Sequence, residues 1–129
     1  MNYLKPVSGR VSSKFGNRIH PLSGQKVAFH NGVDIACSIG TPIVAPESGM
    51  VTDVYTHPRG GNTLIMVTSS GVRFGFCHLQ THKVAKNAVV NRGDVIALSG
   101  NTGASTGPHV HFTMKINAQF VDPQKYFQF

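Results

Sequence analysis

The clearest alternation in the chain runs over residues 109–116, where Val110, Phe112, Met114 and Ile116 interleave with His109, His111, Thr113 and Lys115. A period of two is that of a half-buried strand, with the apolar row on the core and the other row facing outward. His109 and His111 therefore share one face. Val72, Phe74, Phe76 and His78 also alternate, which sets an imidazole at the end of an apolar face. Leu64, Ile65, Met66 and Val67 are consecutive, as in a strand buried on both sides. Residues 41–45, 49–56 and 95–99 read as further strands. Between these runs lie turn signals at residues 46–49, 58–61, 69–71, 91–94 and 117–118.

The rest of the chain is less regular. Residues 5–26 are turn-rich and read as a long irregular leading loop, and residues 79–90 as a loop or a short helical turn. Residues 100–108 form a small-residue loop that delivers the chain to His109, and residues 122–127 suit one closing helical turn. With 14 Gly and 7 Pro and no sustained 3.6-residue period, the expected class is all-β. The strands form a mostly antiparallel sheet, and there is little helix.

Length and composition narrow this picture. The 129 residues suit one domain with a single core, residues 1–129. An apolar content of 40% argues against disorder, and no apolar run approaches the roughly 18 residues of a membrane-spanning helix. The N-terminus, Met1-Asn2-Tyr3-Leu4-Lys5-Pro6, lacks the basic start and apolar stretch of a secretory signal. The net charge of +7 and pI near 9.9 favour an anionic partner such as nucleic acid, an acidic membrane surface or a cell-wall polymer. A merely solvated surface explains the charge equally well, because Lys and Arg are scattered. Cys37 and Cys77 read first as small buried hydrophobes; a disulfide between them, or thiolate help with a metal, are the other readings.

The histidines carry the candidate chemistry. A hydrolytic zinc site needs three His or carboxylate ligands and one open position for water. His30 and Asp34 are four apart, but Gly32 and the β-branched Val33 and Ile35 place them on loop and strand rather than on a helix face. There is no HExxH motif, and the one glutamate, Glu47, lies in a turn.

Three segments carry a resemblance: His30-Asn31-Gly32-Val33-Asp34, Phe76-Cys77-His78-Leu79, and residues 105–112, Ser-Thr-Gly-Pro-His-Val-His-Phe. They resemble the signature segments of the lysostaphin-like, LytM-type zinc endopeptidases that cut peptidoglycan cross-links. Residues 13–21, 40–45, 60–62, 92–94 and 121–123 extend the similarity over almost the whole chain. The resemblance implies a duplicated-hybrid-motif type of sheet with a groove holding one Zn²⁺. It implies that His30, Asp34 and His111 hold the metal and that His78 and His109 are catalytic without being ligands, either one serving as the base. Phe76 departs from the tyrosine that the family often has there. Residues 15–21 resemble members that cut D-alanyl to diaminopimelate cross-links more than those that cut glycine bridges. Arg18 could then pair with a substrate carboxylate and Asn62 could orient a loop near the site, with an ion pair and a plain turn as their structural readings. His20, His57 and His82 read as spectators.

The expected function is a zinc-dependent peptidoglycan endopeptidase, a monomer acting on wall peptides outside the cytoplasm. An excised domain of an exported hydrolase and a phage-encoded or virion-associated enzyme are both consistent with the signal-free start. The alternative is a catalytically silent wall-binding regulator of another hydrolase, which loss of ligands would mark; none is lost. A basic nucleic-acid binder would need a closed structural zinc site and basic residues interleaved with aromatics, and neither is present.

Overall fold

The computed structural model describes residues 3–19 and 26–129. In chain order the strands are β1 (Arg10–Ser13), β2 (Gly16–Ile19), β3 (Lys26–His30), β4 (Val33–Ala36), β5 (Pro42–Val44) and β6 (Gly49–His57). They continue with β7 (Gly61–Thr68), β8 (Arg73–His82), β9 (Val89–Val90), β10 (Val95–Ser99), β11 (His109–Ile116) and β12 (Gln119–Val121). A 3-10 turn at Pro123–Lys125 follows, and the Asp122 carboxylate caps it by accepting from the Gln124 amide at 2.9 Å. The expected all-β class holds. Among the described residues no helix is long and apolar enough to cross a membrane.

One antiparallel sheet dominates, in the order β1-β4-β11-β8-β7-β6-β9, with β12 on β11 and β10 bridging β8 and β5. Strands β2 and β3 form a separate ribbon. Strand β11 is central because each of its edges is occupied: β4 pairs with it on one side and β8 on the other. Its apolar row, Val110, Phe112 and Met114, is fully buried, while His109, His111 and Thr113 are only partly so. The core under it is aromatic. The Phe112 ring lies 5.2 Å from Phe76, 5.7 Å from Phe74, 5.2 Å from Phe127 and 6.0 Å from Phe129, centroid to centroid. Such edge and offset contacts add to what area burial alone supplies.

Three local expectations change. Residues 5–26 are not simply a loop, since β1 pairs with β4 and β2 with β3. Short, polar edge strands carry almost no apolar period, so their pairing depends on partners distant in the chain. Residues 79–82 continue β8 by pairing with β10, where Gln80, Thr81 and His82 mask the strand signal. Strand β7 is not buried on both faces: Leu64 and Met66 enter the core, whereas Ile65 and Val67 are half-buried on the other side. Ile65 there lines a groove.

Phe112→Ala should lower unfolding stability by about 3–5 kcal/mol, because the aromatic cluster cannot collapse into the space left. Urea denaturation followed by far-UV dichroism measures this; a loss below about 1 kcal/mol would show that the cluster is not the centre of the core.

Candidate metal centre

Register builds the site. On β11, His111 lies directly opposite Asp34 of β4 and opposite Cys77 of β8. Opposed residues in an antiparallel pair project from the same face, so Asp34 joins His111 on the face away from the core. His30 comes from the end of β3 and reaches the same point, and the chain then makes a tight passage at Gly32 before Asp34. A Cβ at Gly32 would come within 2.3 Å of the Phe112 carbonyl oxygen, so the chain between His30 and Asp34 can lie against β11 only with glycine there.

Three ligand-type atoms converge. His111 Nδ1 is 2.9 Å from Asp34 Oδ1, His30 Nε2 is 3.4 Å from the same oxygen, and the two ring nitrogens are 3.2 Å apart. The far side of each ring is committed. His30 Nδ1 donates to the Lys14 carbonyl at 2.8 Å, and His111 Nε2 donates to Asn31 Oδ1 at 2.8 Å. In those tautomers, both nitrogens facing Asp34 carry lone pairs. Three lone pairs aimed at one point repel unless a cation lies among them. Bonds of about 2.0–2.1 Å to a tetrahedral zinc require donor–donor edges of roughly 3.3 Å, and the observed spacing fits. Two imidazoles and one carboxylate are also a donor set of catalytic zinc sites. Among the described residues, His30, Asp34 and His111 form the group able to hold a metal.

Two further imidazoles flank the centre. His109 Nδ1 donates to the Gly107 carbonyl at 2.8 Å and lies 3.1 Å from Ser105 Oγ, leaving Nε2 as its acceptor, 3.7 Å from Asp34 Oδ1. His78 Nδ1 donates to the Thr102 carbonyl at 2.7 Å, and its ring centroid is 4.6 Å from that of His109. Strict alternation would have sent His78 into the core behind Phe76. Instead β8 carries one extra residue there: between the pairs Leu64–Phe76 and Asn62–Leu79, two steps on β7 match three on β8. His78 takes a left-handed backbone, φ 64°, and joins the site, while Leu79 re-enters the core. At this bulge β8 leaves β11 and turns to pair with β10.

Electrostatics follow the packing. Burial pushes the Asp34 carboxyl up, but in the state where the imidazoles around it are protonated, the His111 hydrogen bond and the charges of His111, His30 and His109 outweigh it and hold the group below its ordinary range. Burial lowers the His78 pKa despite the Thr102 carbonyl, which favours the charged ring. Both thiols are free, and burial pushes both upward. The structure has no bond between Cys37 and Cys77, in contrast to the disulfide reading.

The remaining candidates separate. Arg18 lies on β2, and its side chain is outside the described residues, as is His20. Asn62 does not border the metal groove. Its amide donates to the Leu79 and Gln80 carbonyls at 3.1 and 3.3 Å and its oxygen accepts from Thr56 at 2.7 Å, which braces β8 just past the bulge. His57 and His82 bond to neighbouring backbone away from the centre. Two groove residues escaped sequence reasoning: Asn31, which orients His111, and Arg59, which lines the wall beside His78. Asn31 sits inside the His30–Asp34 segment, and that position was its one available signal.

Residues 28–123 match peptidase family M23. The chain belongs to that family. It is 38% identical over 117 residues to the peptidoglycan DD-endopeptidase ShyA of Vibrio cholerae, covering 90% of this chain and 27% of that relative. The chain thus spans about a quarter of the length of the curated relatives it matches. Among solved structures, a zinc-containing peptidase from Vibrio cholerae superposes with a TM-score of 0.85 at 38% identity, over 95% of this chain and 39% of that one. The catalytic domain of the antimicrobial peptidase lysostaphin from Staphylococcus simulans matches with a TM-score of 0.79 at 30% identity, over 92% and 91% of the two chains. M23 proteins are zinc peptidases, and the donor set of this member suits that metal.

In the metal-free protein, an NMR titration should find the His78 midpoint below about 6.5, the ordinary histidine value. The sign for stability follows. The unfolded chain takes up this proton first, so the contribution of His78 is complete above the unfolded pKa and is lost as pH falls through the lower folded pKa. A midpoint at or above the ordinary value would show that burial does not control this ring.

Proposed function

We propose that this chain, residues 1–129, is a single zinc peptidase domain that hydrolyses peptide cross-links of bacterial peptidoglycan as a monomer, with D-alanyl to diaminopimelate bonds favoured over glycine bridges. The observation that carries the reading is the convergence of His30 Nε2, Asp34 Oδ1 and His111 Nδ1 within 2.9–3.4 Å, each ring oriented from behind by a carbonyl or amide oxygen. These three residues would hold the zinc. When bound, zinc supplies Lewis acidity toward a water and the scissile carbonyl.

The chain's own residues do the rest. His109, with Nδ1–H tied to Gly107, presents Nε2 to take a proton from the attacking water and return it to the leaving amine. His78, neutral at pH 7 and tied to Thr102, lies where its ring can share that proton or steady the developing oxyanion. Fixing both tautomers from the backbone removes reorganisation from the proton transfer. The direct cross-link is favoured by the likeness of residues 15–21 to enzymes of that specificity and by a relative that is a peptidoglycan DD-endopeptidase. Its place of action is the cell wall, reached as part of an exported hydrolase or as a phage product. A silent regulator is disfavoured because all five site residues are present.

Calorimetric titration should show one zinc per chain. Asp34→Ala or His111→Ala should abolish tight binding, and Asn31→Ala should weaken it about 10–100-fold, as expected for an outer residue that orients a ligand. On purified Gram-negative peptidoglycan the zinc-loaded protein should convert cross-linked dimers to monomers, as read by mass spectrometry. His109→Ala should keep the metal and lose about 10²–10⁴ in rate. Intact walls with zinc bound would replace the endopeptidase by the regulator.

A further inference from the structure

The groove does not end at the metal centre. A first depression of about 650 Å³ holds the five site residues, and a second of about 560 Å³ shares Asn31, Cys77 and His111 with it and continues over the open face of the sheet. The floor of this second half is Ile65, Gly75 and Thr113, and its border includes Asp53, Arg73 and Lys115. Strand register orders these residues in rows. Below the pair His111–Cys77 lies Thr113–Gly75, and below that Lys115–Arg73. Gly75 keeps the middle row shallow, since a Cβ there would come within 2.5 Å of Thr113 Oγ1. At about 3.3 Å per residue, the Lys115–Arg73 row is roughly 13 Å from the His111 row. An extended peptide of about four residues spans that distance.

Arg73 and Lys115 are like charges in direct cross-strand opposition, an arrangement that costs stability. Among the described residues no carboxylate offsets the cost. Among the described residues the ion pairs gather on Asp34, and none reaches Arg73, Lys115 or Asp53. The Lys115 ammonium lies 4.4 Å from the centre of the Phe120 ring, which holds it beside the groove without neutralising it. Asp53 stands on the opposite bank, in the row Asp53–Ile65–Gly75–Thr113. A ligand carboxylate is thus drawn to one side of the groove and repelled from the other.

We propose that Arg73 and Lys115 form a carboxylate clamp that holds an acidic stem peptide of the substrate along β11, about four residues from the bond being cut. The identity of that peptide rests on the peptidoglycan reading; the clamp itself does not require that the peptide be cleaved. Stem peptides built on D-glutamate and diaminopimelate carry free carboxylates, whereas glycine bridges carry none. The clamp therefore makes charge, rather than side-chain size, the basis of discrimination.

The test is calorimetric binding of a stem tetrapeptide containing D-glutamate and diaminopimelate, and of its fully amidated form, to the zinc-loaded protein and to its Arg73→Gln/Lys115→Gln variant. Amidation should weaken binding to the intact protein about tenfold or more, and the variant should bind the acidic form about as weakly as the amidated one. The variant should melt no lower than the parent, since it removes a repulsive pair. Equal affinity of the intact protein for both peptides, no binding of the acidic one, or discrimination retained in the variant would overturn the clamp. Dimer cleavage assayed in parallel separates the two readings. Cleavage without charge discrimination removes the clamp and leaves the endopeptidase, whereas discrimination without cleavage of any dimer removes the endopeptidase and leaves the clamp.

Discussion

The pairing of β4 with β11 in one register is the constraint on which the rest of the molecule depends. It sets Asp34 against His111 and, two steps away, Ala36 against His109. The same register sends Val33, Ile35, Val110 and Phe112 into the core. A slip of one residue would reverse the faces, bringing imidazoles into an aromatic core and phenylalanine into the groove. The apolar packing that stabilises the sheet therefore also selects the arrangement in which the three ligand atoms meet.

Around that pair, each imidazole is oriented by an oxygen on its far side. Lys14, Thr102 and Gly107 supply carbonyls, and Asn31 supplies an amide oxygen. These partners come from elements with little apolar content, so their placement depends on loops packed against one another. Gly61 and Gly103 allow the loops at residues 58–61 and 100–108 to touch: both have positive φ, and a Cβ on Gly103 would lie 2.3 Å from the Gly61 nitrogen. This contact brings the Thr102 carbonyl to His78. Second-tier oxygens of this kind fix tautomer and ring orientation before substrate arrives.

The open face of the sheet shows the opposite balance. There, half-buried apolar residues such as Ile65 remain uncovered, and two cations oppose each other with no ion-pair partner among the described residues. Features that lower stability without a local compensation accumulate where a surface has work to do. The metal end of the groove orders its charges around Asp34, whereas the far end leaves positive charge unspent. A polyanionic peptide lying lengthwise would meet both.

Much of this was legible in the chain. The alternation at residues 109–116 determined a strand, its buried row and the shared face of His109 and His111, because side-chain direction in a strand depends only on parity. The segments around His30, His78 and His109 carried the family, and turn residues marked most strand ends. Other features depended on contacts distant in sequence. The bulge that turns His78 out of the core arises where β8 changes partner from β11 to β10, and no residue near His78 announces it. The pairing of β1 with β4 and of β2 with β3, the brace that Asn62 gives to β8, and the opposition of Arg73 and Lys115 likewise exist only once strands are in register. Local pattern determines which way a side chain points along its own strand; which side chains face each other across strands is decided by the tertiary fold, because register is selected by burial summed over the whole sheet.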